Sequence, residues 1–152
     1  MTLSRRKFVH LLSIATTACT ALITPAISWA AWVNDAFNAN ETEEAYKKLF
    51  GSTSLKKTKK VKLKVPKVPN NNNAVPISVK TDIQNVDSIS LFVENNPQPL
   101  VAIFEIPDGT LPKISTRIRI YQTTTVTAVV KTGEQLFSKS QRVTITDGQC
   151  GG

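Results

Sequence analysis

Few side chains in this sequence can do covalent chemistry, and they are unevenly placed. There is one histidine, His10, and there are two cysteines, Cys19 and Cys150. His10 and Cys19 fall within the first 30 residues, whereas Cys150 stands in Gly148-Gln149-Cys150-Gly151-Gly152, past the last apolar run. A thiol can serve as nucleophile, metal ligand, redox partner or covalent attachment point, in each case as the thiolate. Glycine has no Cβ and disfavours regular structure. A chain end is also the part of a domain least held down. A buried structural cysteine needs packing partners, and this position offers none. Gly148, Gln149, Gly151 and Gly152 therefore read as a flexible arm that presents Cys150 to something else.

The first 30 residues narrow the chemistry further. Ser4-Arg5-Arg6-Lys7-Phe8-Val9 places two arginines ahead of a mostly apolar stretch from Leu11 to Ile27. Ser28-Trp29-Ala30 then offers small residues at both specificity positions for cleavage before Ala31. This is a secretory signal of twin-arginine type, and it predicts export to the periplasm. A membrane anchor fits less well, because Pro25 interrupts the apolar stretch. A lipoprotein leader at Cys19 fits less well too, because Thr16 stands where a large aliphatic residue is expected. Cleavage would remove His10 and Cys19. The remainder, 31–152, would hold no histidine and one thiol. Ser-His and Cys-His nucleophile pairs are then impossible within the chain. So are an internal disulfide and histidine-rich zinc, copper or haem sites. An enzyme acting alone is disfavoured, and no catalytic residue, metal ligand or cofactor site is assigned.

The 152 residues suffice for one domain with a modest core. Formal net charge is +8, and +5 without Arg5, Arg6 and Lys7. Much of it lies in one acid-free run holding Lys56, Lys57, Lys59, Lys60, Lys62, Lys64 and Lys67. Nucleic acid is disfavoured as its target. Val61, Leu63 and Val65 alternate with Lys60, Lys62 and Lys64, which is a strand with one buried face and one lysine face. Lysine also protects an exposed edge from mispairing. Such a face could attract an anionic substrate or an acidic partner. No membrane contact is expected of the mature chain.

These features need a scaffold. A helix is expected over Val33 to Phe50, capped by Asn34 or Asp35 and ended by Gly51. A second cap within Asn38 to Thr42 would divide it into two short helices. Glu41, Glu43 and Glu44 read as a solvated turn rather than a metal cluster. Strands follow at Val75 to Thr81, Ile89 to Glu94, Leu100 to Ile106, Ile114 to Gln122, Val126 to Lys131, Leu136 to Ser138 and Val143 to Thr146. Lys131-Thr132-Gly133-Glu134 is a hairpin-like turn. Short strands rich in Val, Ile and Thr at this spacing predict an immunoglobulin-like β-sandwich of about seven strands. The expected organisation is a leader over 1–30, a helical segment over 31–55, the sandwich over 56–146 and the arm over 147–152.

The chain resembles the SoxY family, sulfur carriers of the periplasmic thiosulfate-oxidising system. The resemblance is carried by the twin-arginine leader, by Ile89-Ser90-Leu91-Phe92-Val93-Glu94-Asn95-Asn96-Pro97-Gln98-Pro99-Leu100, by Ser115-Thr116-Arg117-Ile118, by Val126 to Val130 and by the terminal Cys-Gly-Gly. It implies that Cys150 is the covalent attachment point for substrate sulfur. It implies a heterodimer with a SoxZ-like subunit. It also implies three partner enzymes: a haem c oxidase that loads thiosulfate, a manganese thiohydrolase that releases sulfate, and a sulfane dehydrogenase. One position departs from the family pattern. The residue before the cysteine is Gln149 where a second glycine is usual, which predicts altered fit to partners rather than loss of the carrier role. The competing class is a periplasmic immunoglobulin-like binding or assembly module with an idle tail. A thiol oxidoreductase is disfavoured, since no second cysteine could resolve a mixed disulfide.

Overall fold

The computed structural model describes residues 29–146. Most of the predicted leader, with His10 and Cys19, lies outside the described residues. So do the arm residues Gly148, Gln149, Gly151 and Gly152 and the attachment residue Cys150.

The helical segment divides within Asn38 to Thr42, the second of the two arrangements expected, into α1 (Trp29–Phe37) and α2 (Thr42–Phe50). The start differs from the sequence expectation, because Asn34 and Asp35 sit inside α1 instead of capping it. The chain breaks between the helices at Asn38 to Glu41, where Asn38 and Asn40 are weak helix formers. Glu41 is the extended residue ahead of α2 (φ −119°, ψ 144°). Glu43 and Glu44 occupy its first turn and Lys47 and Lys48 its last, both favourable to the helix dipole. Gly51 ends α2 in the left-handed region at φ 68°, its N–H donating to the Lys47 carbonyl at 2.9 Å. The Lys48 ammonium lies 2.8 Å from Glu44 and holds that carboxyl below its usual range.

The remainder is a two-sheet immunoglobulin-like sandwich. Its eight strands are β1 (Lys56–Lys57), β2 (Val61–Lys64), β3 (Val75–Thr81), β4 (Ser88–Val93), β5 (Leu100–Glu105), β6 (Lys113–Ile118), β7 (Thr124–Thr132) and β8 (Gln135–Val143). One sheet runs β1-β8-β7-β4-β5 and the other β2-β3-β6. All pairs are antiparallel except β1 with β8. Alternation decides the inner faces. Val75, Ile77 and Val79 of β3 meet Ile89, Leu91 and Val93 of β4 and Val126, Ala128 and Val130 of β7 in the central core. The Gly133-Glu134 turn joins β7 to β8, with Gly133 at φ 52° and its N–H bonded to the Asp87 carboxylate at 2.7 Å. Gly133 thus supplies the positive φ that a two-residue hairpin turn requires.

Three strand expectations are corrected. The separate strands at Leu136 to Ser138 and Val143 to Thr146 are one continuous β8 ending at Val143. Its polar middle, Lys139-Ser140-Gln141, has no apolar period, but the ladder to β7 carries it, helped by a Thr127–Ser140 hydroxyl bond of 2.9 Å. The strand expected to reach Gln122 stops at Ile118, because the Ile120 N–H turns aside to the Asn72 carbonyl at 2.8 Å. Lys56–Lys57 adds a short parallel strand with no hydrophobic signal of its own.

The helices cover the outer face of the five-stranded sheet. Ala36, Ala39, Ala45 and Tyr46 pack on Phe92, Leu100, Val129 and Leu136. Tyr46 meets Phe92 edge to face at 4.5 Å between ring centres. Burial pushes the Tyr46 phenol up to about 12, the Thr127 hydroxyl opposing the rise and the Glu94 charge adding to it. The unfolded phenol titrates near ~10, so the folded chain holds this proton more tightly. The associated stability is intact below about pH 10 and is lost as pH climbs through about 12. Denaturant unfolding at pH 11.5 should therefore show a loss of about 2 kcal/mol relative to pH 9, and Tyr46→Phe should remove that loss.

Candidate functional site at the root of the arm

The sequence places its one candidate chemical group after the last strand, so the described part of the site begins where β8 ends. β8 pairs last through Val143, opposite Thr124. Three further contacts hold the chain. The Thr144 N–H donates to the Lys67 carbonyl at 2.7 Å. The Ile145 N–H donates to Thr123 Oγ1 at 2.9 Å, and the same hydroxyl donates to the Ile145 carbonyl at 3.3 Å. One threonine thus pairs with both backbone groups of one residue, as a neighbouring strand would. Ile145 is the last residue with such a partner among the described residues. Cys150 lies five residues on, a reach of at most about 17 Å.

Thr123 needs its own support, because 119–123 has no strand ladder. Asn95 and Asn96 supply it from the turn after β4. The Asn95 amide donates to the Thr123 carbonyl at 2.9 Å, and its backbone N–H donates to Thr124 Oγ1 at 3.0 Å. Gln122 returns a bond to the Asn95 carbonyl at 3.1 Å. The Asn96 amide donates to the Arg119 carbonyl at 2.9 Å and accepts from the Tyr121 N–H at 3.2 Å. Two adjacent side chains therefore stand in for a missing strand. In the sequence they belong only to a family-like segment, and nothing there marks partners more than twenty residues away.

The surface beside this root is mixed. The Arg119 guanidinium lies 4.5 Å over the Tyr121 ring. Tyr121 is 51% exposed and Val68, next to Lys67, is 55% exposed. These are two of the three large apolar side chains left exposed among the described residues. The third, Leu111, belongs to the loop between β5 and β6 at the far end. Among the described residues no group of three His, Cys, Asp or Glu side chains gathers. What the described root offers is a fixed position for Ile145.

Thr123→Val keeps the shape and removes both bonds to Ile145. Exchange of the Ile145 amide should accelerate roughly 3–10-fold, while global stability moves little. Native-state hydrogen exchange reads this directly, and an unchanged Ile145 rate would mean the hydroxyl does not hold the tail.

The chain matches the family model described as sulfur oxidation protein SoxY over residues 46–150. The chain belongs to the SoxY family. A solved SoxY, the sulfur carrier protein of Chlorobium limicola f thiosulfatophilum, superposes with a TM-score of 0.62 at 30% identity. The match covers 68% of this chain and 94% of that one. The human F-spondin reeler domain gives a TM-score of 0.37 at 12% identity over 59% of this chain and 92% of that one, too low to carry an argument. No curated protein sequence matches. SoxY membership gives the chain a sulfur-carrier role in the Sox system, alongside partner proteins. SoxY is a carrier family.

Proposed function

We propose that this member of the SoxY family carries substrate sulfur covalently on Cys150 and presents it to separate enzymes after twin-arginine export to the periplasm. The observation that carries this reading is the family match running through residue 150, which brings the one thiol outside the leader within the matched region. The pinned root supports it. A tether of about 17 Å leaving a fixed point can enter clefts that a thiol on a strand could not. It also delivers the cargo at raised effective concentration to each enzyme in turn.

The loading step balances as a two-electron oxidation. The Cys150 thiolate and thiosulfate join through a new S–S bond, giving a cysteine S-thiosulfonate. Both electrons leave to a haem c oxidase. Water then attacks the terminal sulfonate on a manganese thiohydrolase, releasing sulfate and two protons and leaving a persulfide on Cys150. A sulfane dehydrogenase takes that persulfide onward. A SoxZ-like subunit completes the carrier as a heterodimer. No Lys, Arg or His adjoins Cys150 in sequence, so activation of the thiol falls to the partner enzymes.

Intact-mass spectrometry tests the reading. Protein incubated with thiosulfate and the oxidase should gain one thiosulfonate per chain, lost on adding reductant. An unmodified chain while thiosulfate is being consumed would leave the immunoglobulin-like binding module as the better account.

A further inference from the structure

The two outer faces of the sandwich differ. Helices cover the five-stranded sheet. Among the described residues no helix covers the outside of the β2-β3-β6 sheet, and five of its eight outward residues are cationic. The register aligns them. Lys62 pairs with Lys80, and Lys80 pairs with Lys113, so one lysine from each strand stands in a single row. The next row is Lys64, Ser78 and Ser115, and beyond it Pro76 pairs with Arg117. β2, β3 and β6 contain no acidic residue. Among the described residues one carboxylate reaches the row, Asp82, 3.2 Å from the Lys62 ammonium. Like charges directly opposite on neighbouring strands are destabilising. A row of three is therefore a cost the fold carries, and edge protection does not explain it, because Lys80 lies on the central strand.

We propose that this face is a docking surface for an acidic protein partner. Its shape and chemistry favour that occupant over a small oxoanion. A shallow groove of about 650 Å³ runs along the face between Lys64 and Arg117. The hydroxyls at its floor are already engaged. Ser78 Oγ donates to the Ile114 carbonyl at 3.2 Å, and the Ser78 and Ser115 hydroxyls lie 3.0 Å apart. The face thus offers an anion its long cations alone. Neighbouring strands lie ~4.8 Å apart, so the lysine row spans about 10 Å, too wide for one small ion to satisfy. Carboxylates repeating every ~5–6 Å, as at i and i+4 of a helix, match the row. The groove end of the face leads through Lys64 to Lys67, whose carbonyl holds Thr144. A partner seated there lies beside the root of the tail. The docking surface depends on strand register alone and stands whether or not Cys150 carries sulfur.

Poly-L-glutamate is the probe, with binding to the full chain followed by fluorescence anisotropy at low salt. The triple variant K62Q/K80Q/K113Q should weaken binding at least 10-fold. The charge-matched triple K131Q/K139Q/R142Q, on β7 and β8, should change it less than twofold. The single Lys80→Gln should weaken binding about 2–3-fold while raising Tm by about 1–4 °C, since it relieves like-charge contacts. That single variant is the readout should the triple melt below the parent. Equal losses from both triples would reduce the effect to net charge and overturn the proposal. So would displacement of the probe by thiosulfate beyond that by sodium chloride at equal ionic strength, which would mark a small-oxoanion site. Tighter binding of a DNA duplex than of polyglutamate at matched salt would overturn it as well.

Discussion

Cys150→Ser is expected to abolish sulfur loading completely while leaving the fold intact. The loss is total because residues 31–152 hold no second thiol to substitute. A serine hydroxyl stays protonated at neutral pH and forms no S–S bond, so the oxidative step has no acceptor. The fold survives because the position lies beyond Ile145, the last residue with a backbone partner among the described residues. Stability should change by less than about 0.5 kcal/mol, as for surface substitutions. Thermal unfolding and thiosulfate-dependent electron transfer to the oxidase, measured on one preparation, check both halves. Residual loading in the serine variant would remove Cys150 from the carrier role. A fall in Tm with the loss of loading would mean that the tail supports the fold and does not simply extend from it.

Phe92→Ala should give the largest loss of stability of any single change considered for this sandwich. Phe92 is fully buried on the outer face of β4 and is the largest wholly enclosed side chain among the described residues. Its ring meets Tyr46 at 4.5 Å and Phe50 at 6.1 Å, so it ties α2 to the five-stranded sheet. Truncation removes the transfer energy of the ring, leaves a cavity that two aromatic neighbours cannot fill, and forfeits the edge-to-face contact. Together these cost about 3–5 kcal/mol. For a domain of this size Tm should fall by on the order of 10–20 °C. The rise of the Tyr46 phenol should shrink too, since water gains access to it, and the alkaline stability loss should weaken. A Tm within a few degrees of the parent would show that α2 contributes little to holding the sheet.

The elements of this fold were legible wherever burial is local. Val75, Ile77 and Val79 alternate with Pro76, Ser78 and Lys80, and β3 follows that alternation residue by residue. Gly51 marks the end of α2, because a left-handed residue is needed there and glycine adopts it without strain. The polar half of β8 was not legible. Lys139, Ser140 and Gln141 carry no periodic signal, and their conformation comes from hydrogen bonds to β7. The start of α1 was missed for a related reason. Asn34 and Asp35 are good capping types, but Trp29 to Val33 continue the helix ahead of them.

The sequence by itself determined the chemical endowment: one thiol and no histidine in residues 31–152, and a β-rich domain beside them. Those are properties of composition and of short-range order, which survive without any knowledge of neighbours. Only the tertiary structure decided what Asn95, Asn96, Thr123 and the lysines do. Lys80 meets Lys113 across 33 residues through strand register, and Thr123 meets Ile145 across 22 just beyond the end of the β7–β8 ladder. Register is a product of the whole core closing at once, because a slip of one residue would turn every buried side chain of a strand to water.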